Sequence, residues 1–206
     1  MMRHGTIILE HEGGRVTKIK NVGNFEEYIY IIKQSVREAS SRSRAPDLRA
    51  MLKRGEGAGV EFKETLRYDA RKGETSKELE RVIMKAIVGF LNADGGTLAI
   101  GVNDEGEAVG LENDYKALPK KNRDGFENHL SMLLKTMIGL PFAKYVSVAF
   151  EEADGKDVCV VTVRESHKPA YLRNGGGKEE FFVRVGNSTQ PFSMSEAEEY
   201  IETKWK

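Results

Sequence analysis

The sequence predicts an α+β fold, a small mixed β-sheet with helices packed on it, preceded by an N-terminal hairpin-helix extension. Three observations lead there. Apolar residues recur at helical spacing in two long segments, Leu79 to Leu91 and Phe126 to Met137. Short β-rich runs are interleaved with those segments. Two of the runs, in YVSVAFEEADGKDVCVVTV, are joined around Asp154-Gly155, a hairpin signal that argues against a doubly wound parallel sheet.

Taken in order, Thr6 to Leu9 and Val16 to Ile19 read as a short hairpin. Phe25, Tyr28, Ile29, Ile32 and Val36 then follow helical spacing, with Asn24 as N-cap. SSRSRAP (40–46) is small, polar and closed by Pro46, which sets a boundary near residue 45. Residues 1–45 are therefore read as an extension and 46–206 as the main domain.

In the main domain, Val60 to Leu66 is expected as a strand with Val60 and Phe62 on one face and Glu61 and Lys63 on the other. A long amphipathic helix runs from about Ser76 to Gly95-Gly96, which stop it with a left-handed turn. Thr97 to Val102 is a buried strand, and Asn103 to Gly106 a turn. The second helix ends at Gly139 and Pro141, and the hairpin follows. Phe181 to Val185 continues the same sheet after the RNGGGK loop, and Ser195 opens the last helix. Ile83, Ile87 and Phe90 are expected to pack the long helix across that one sheet.

Composition narrows the functional classes. The chain of 206 residues carries 32 basic and 32 acidic side chains and a single cysteine, Cys159. That cysteine excludes a disulfide framework and any multi-cysteine zinc site, and its place in VCVVTV marks it as core. No apolar run reaches the roughly 18 residues of a membrane span, and the start lacks the apolar region of a signal peptide. The expectation is a cytoplasmic protein. Neutrality hides one asymmetry: residues 37–54 contain 6 basic residues against 2 acidic ones. Such a stretch is either a nucleic-acid footprint or a solvated helix end and linker.

Several standard chemistries are missing. Asn174 to Lys178 lacks the spacing of a phosphate loop, and a strand rather than a helix follows it. His4, His11, His129 and His167 share no ligand spacing, and no serine-nucleophile elbow is present. What remains is a set of carboxylates. Glu61 and Lys63 share a strand face about 6.6 Å apart. A carboxylate beside a lysine suits Mg²⁺ or Mn²⁺ and a phosphodiester, and equally suits an edge strand with a solvated charged face. Asp104 follows the TLAIGV strand, where active-site side chains are often placed.

Four pieces of sequence carry a resemblance: GEGAGVEFKE (55–64), FLNADGGTLAIGVNDEG (90–106), Gly110-Leu111 and FFVRVGNST (181–189). In this order they resemble the Schlafen AlbA_2 domain family, described as a DNA-binding domain and also as a divergent AAA-type module. The resemblance covers roughly residues 47–190. It implies a small mixed sheet related to the chromatin protein Alba, and a nucleic-acid-binding role often found in bacterial and archaeal regulators. It also implies an alternative, because Schlafen proteins include RNA-cleaving members with three carboxylates in an E-x4-E and Asp arrangement. Here those positions are Glu56, Glu61 and Asp104, with Lys63 as electrostatic helper and Mg²⁺ or Mn²⁺ as the cofactor. RNA-cleaving Schlafens join two such units, so a homodimer would supply the second lobe. ATP binding finds no support in any phosphate loop.

Two principal readings follow. In the first, the chain is a nucleic-acid-binding module that contacts DNA or RNA backbone and is dimeric. Lys77, Arg81 and Lys85 recur at i, i+4 and i+8 opposite the apolar stripe of the long helix, Arg164, Lys168 and Arg173 flank the hairpin exit, and Arg184 lies on the last strand. The helix trio is otherwise an exposed face paired with Glu78 and Glu80. In the second, Glu56, Glu61 and Asp104 converge beside Lys63 as a metal-dependent endonuclease for RNA or single-stranded DNA. Its structural counterpart has Asp104 capping its turn, Glu61 paired with Lys63 or a neighbouring strand, and Glu56 free in a loop. A third reading makes helix 25–38 a protein-docking element.

Overall fold

The computed structural model describes residues 6–9, 17–20, 47–174 and 177–205. The chain falls into two compact units, Met1–Arg44 and Ala45–Lys206. In the first, β1 (Thr6–Leu9) pairs antiparallel with β2 (Thr17–Lys20), Thr6 facing Lys20 and Leu9 facing Thr17. The expected helix 25–38, His4 and His11 lie outside the described residues.

The second unit opens with α1 (Leu48–Arg54), a helix not expected in the basic stretch. The Asp47 carboxylate caps it by accepting from the backbone N–H groups of Arg49 and Ala50. Next come β3 (Val60–Lys63), the two-residue strands β4 (Tyr68–Asp69) and β5 (Glu74–Thr75), the long helix α2 (Lys77–Asn92) and β6 (Gly96–Ile100). Strand β3 ends three residues before the expected Leu66. The backbone N–H groups of Leu66, Arg67 and Tyr68 turn aside to the buried Asp114 carboxylate at 2.9–3.0 Å, so they are not available to a sheet ladder. Asp114 belongs to α3 (Glu112–Lys116). Helix α4 (Arg123–Leu133) widens into a π-turn over Leu134–Ile138, and Gly139 at φ +125° ends it.

Strands β7 (Val146–Ala153) and β8 (Lys156–Val163) form the expected hairpin, with Asp154 and Gly155 both at positive φ. They complete a mixed four-stranded sheet of order β3-β6-β8-β7, in which only β3 and β6 run parallel. One face, through Leu98, Ile100, Cys159 and Val161, packs on Ile83, Ile87, Phe90 and Leu91 of α2 and on Phe126 of α4, all essentially inaccessible to solvent. The other face, through Phe62, Ala99 and Val160, is covered in part by Leu48 and Met51 of α1.

The expected single sheet is in fact two. Strands β9 (Leu172–Arg173), β10 (Glu179–Val185) and β11 (Ser188–Phe192) form a separate antiparallel sheet of order β11-β10-β9. This sheet packs on α2. From Ala86 to Asn92 every residue of α2 is buried, as expected of a helix enclosed on all sides. Gly89 permits the approach: a Cβ there would lie 2.6 Å from the Thr189 methyl group of β11. The last helix, α5 (Met194–Lys204), starts one residue before the expected Ser195. Ser193 caps it in a capping box with Glu196. No helix among the described residues is long and apolar enough to cross a membrane.

Candidate functional site

The glycine-rich segment after α1 brings the acidic motif to the edge of the four-stranded sheet. Glu56 reaches across its own turn, and its Oε1 accepts from the Phe62 backbone N–H at 2.6 Å. Glu61 faces the α2 side of β3. Its carboxylate is paired with Lys63 at 2.7 Å and with Arg184. Arg184 arrives from β10 of the second sheet, its side chain only 2% exposed. Its guanidinium also donates to the carbonyls of Gly57 at 2.7 Å and Val60 at 3.0 Å, and lies 5.1 Å above the Phe90 ring. Burial raises the Glu61 pKa, but the hydrogen bonds and charges of Lys63 and Arg184 outweigh it and hold the carboxyl below its ordinary value.

This geometry corrects two expectations. Arg184 is not an exposed phosphate contact but a buried strut joining the second sheet to the β3 edge. The three carboxylates do not form a metal site either. Among the described residues no three Asp, Glu, His or Cys side chains are placed to hold an ion. Asp104 lies exposed in its turn, and Asn103 rather than Asp104 closes that turn by accepting from the Glu107 N–H at 2.7 Å. Mg²⁺ or Mn²⁺ prefers free oxygen donors, whereas both Glu61 oxygens already meet cations and one Glu56 oxygen is held by a backbone N–H. The donor set does not fit the ion.

The basic residues separate in the same way. Lys77 is exposed, but Arg81 pairs with Glu180 of β10, and the Lys85 ammonium lies 5.2 Å over the Phe182 ring. The second sheet, which sequence periodicity does not reveal, covers the face expected to be open. Arg173 pairs with Glu179 at 3.0 Å across β9 and β10.

Arg164 and Lys168 remain open, and the fold adds Lys144 and His167 to them. Their floor consists of Phe142 and Tyr145, 7% and 5% exposed. Lys144 lies 4.9 Å and Arg164 6.0 Å from the Tyr145 ring centre, Lys168 is 5.3 Å from that of Phe142, and the His167 ring meets Tyr145 edge-on. No carboxylate among the described residues pairs with Lys144, Arg164 or Lys168; nearby Glu165 turns to Lys204. Burial opposes ionisation of Tyr145, yet the His167 backbone, the Lys144 ammonium and the Ser166 hydroxyl hold its phenol below the usual value.

Two buried polar side chains that sequence reasoning missed position these elements. Asn92, fully buried in α2, accepts from the Ala170 N–H and donates to the carbonyls of Ala170 and Phe182, at 2.8–2.9 Å. It thereby pins the loop that carries Arg164 and Lys168 against the second sheet. Asp114 fixes the 65–68 turn beside a cleft of about 360 Å³. The available signal was a polar residue inside an apolar helical run, as in FLN (90–92).

The family model described as Schlafen, AlbA_2 matches residues 56–193. Among solved structures, the DIP2311 protein of Corynebacterium diphtheriae is 22% identical with a TM-score of 0.46, over 69% of this chain and 23% of that one. The N-terminal domain of an ATP-dependent DNA helicase RecG-related protein from Nitrosomonas europaea is 26% identical with a TM-score of 0.42, over 73% of this chain and 94% of that domain. The chain thus matches less than a quarter of the length of the Corynebacterium protein. None of the curated proteins compared with the chain matches it.

Proposed function

The chain belongs to the Schlafen AlbA_2 family through residues 56–193, and from that premise we propose that it is a nucleic-acid-binding module acting through phosphate contacts. The supporting observation is the cluster of Lys144, Arg164 and Lys168: three cations on a rigid aromatic floor with no carboxylate paired to them among the described residues. The cations cover the rings, so bases cannot stack on Phe142 or Tyr145. The cluster meets the charged backbone and tolerates any sequence. Metal-assisted cleavage is not part of this reading, because the oxygens of Glu61 are already engaged.

Fluorescence titration of short single- and double-stranded oligonucleotides across a salt series tests the proposal. Two or three neutralised phosphates give a log–log slope of about −0.7 to −0.9 per phosphate. Arg164→Glu with Lys168→Glu lowers affinity for all sequences alike. Binding that survives this double reversal, or no binding at low salt, overturns the proposal.

A further inference from the structure

We propose that Lys204, at the end of α5, is a positioning residue of the cationic cluster: it holds the Glu165 carboxylate away from Arg164 and Lys168 and so leaves both unpaired for phosphate. This role rests on the nucleic-acid reading and supplies the residue that keeps its site open. Glu165 is an acid built into the loop of the cluster itself, next in sequence to Arg164 and three residues before Lys168. It lies beyond the end of β8 at Val163, where no strand pleat sets neighbouring side chains on opposite sides. Its side chain is 58% exposed, so little packing restrains its rotation. It nevertheless faces the Lys204 ammonium at 3.8 Å, and among the described residues no ion pair joins it to Arg164 or Lys168.

The backbone beneath Glu165 is fixed. The Ser166 N–H donates to the Leu91 carbonyl of α2 at 2.8 Å, and the Ser166 carbonyl accepts from the Trp205 indole N–H at 2.7 Å. Gly95 lets the loop lie close to the end of α2: a Cβ there would stand 2.6 Å from the Val163 carbonyl oxygen and 3.2 Å from the Glu165 nitrogen. Only the Glu165 side chain is left to choose a partner, and Lys204 decides the choice. Its side chain is 20% exposed, its ammonium lies 5.9 Å from the Trp205 ring centre, and it meets Asp94 at 3.6 Å as well as Glu165. A cation held in place by a ring and two acids keeps a carboxylate without the entropy cost of ordering a solvated chain. Without that cation, Arg164 and Lys168 become the partners Glu165 has in its own loop. Either pairing would remove one charge from the phosphate site, as Arg184 and Lys63 are removed by Glu61.

A double-mutant cycle on the full chain, read by the oligonucleotide titration, tests this role. Lys204→Met keeps most of the stem and removes the charge. It lowers affinity about fivefold at about 0.1 M salt and makes the log–log salt slope shallower by about 0.7 to 0.9, one phosphate fewer. Lys204→Arg keeps both at the values of the unaltered protein. In a Glu165→Gln background no carboxylate is left to turn, and Lys204→Met then changes affinity by no more than about twofold. A lysine acting only through its own charge would give the same loss in both backgrounds, and that result overturns the proposal. So does a Lys204→Met variant that binds like the unaltered protein. Should Lys204→Met fail to fold, Lys204→Gln takes its place in the cycle. Failure of the nucleic-acid reading is distinct: the unaltered protein then binds no oligonucleotide at low salt, and both fall together.

Discussion

Two clusters of charge stand at different ends of the same fold, and they are built on opposite plans. Around Glu61 every charge is answered: Lys63 and Arg184 hold the carboxylate, and the backbone carbonyls of Gly57 and Val60 take up further N–H groups of Arg184. Around Tyr145, three cations share a covered aromatic floor and no acid pairs with them. The contrast teaches that residue type alone does not mark a binding site. A charge already matched by its neighbours spends its interaction energy on the fold, whereas an unmatched one at the surface keeps that energy for a ligand.

Opening the closed cluster has the largest expected effect. Arg184→Ala leaves a largely buried Glu61 with Lys63 alone and strips the contacts to the carbonyls of Gly57, Ala58 and Val60, so chemical denaturation should show a loss of about 3–5 kcal/mol. Phe90→Ala removes the ring beneath that guanidinium and a fully buried side chain, at a similar cost of about 3–5 kcal/mol. Asn92→Ala strands the buried polar groups of Ala170 and Phe182 and should cost about 1–3 kcal/mol. Because Asn92 positions the loop of the open cluster, its loss should also weaken nucleic-acid binding in the same titration.

At the open cluster the expected pattern reverses. Arg164→Glu with Lys168→Glu should leave stability within about 0.5 kcal/mol while reducing oligonucleotide affinity. Lys77→Glu, on the exposed start of α2, should change neither by more than the error of measurement. Acid acts on the closed cluster and on the separate Arg123–Asp157 pair. Glu61 and Asp157 both titrate below their ordinary values of 4.5 and 3.8, Glu61 because Lys63 and Arg184 outweigh burial, Asp157 chiefly through its hydrogen bond from Arg123. Their contribution is present above those values and lost as pH falls through the lower folded ones. Thermal melts should therefore decline below about pH 4.5, with a shallower decline in Glu61→Gln.

Local order was legible in the sequence where one physical signal dominated. The Asp154-Gly155 turn, the core position of Cys159 and the packing of Ile83, Ile87 and Phe90 all follow from turn chemistry or periodicity. Errors arose where a distant segment decided the outcome. Asp114 draws off the backbone of 66–68 and cuts β3 short. The second sheet covers Arg81 and Lys85, which a helical wheel places on the open side. Glu61 carries the same spacing whether it binds an ion or Arg184, and Arg184 lies 123 residues away. Lys144 and His167 joined the open cluster without any motif, since only the β7–β8 pairing brings them together.

Asn92 also bears on how the chain is made. Its amide group meets partners 78 and 90 residues further on, and its carbonyl accepts from the Tyr200 hydroxyl, 108 residues away. A ribosome adding roughly 5–20 residues per second therefore leaves α2 with an unanswered buried amide for several seconds. During that interval the helix lacks the second sheet that will enclose it, and its exposed apolar faces are open to chaperones or to neighbouring nascent chains. Such long-range closure slows folding relative to a fold of local contacts, and it makes the completion of α2 one of the last events of synthesis rather than one of the first.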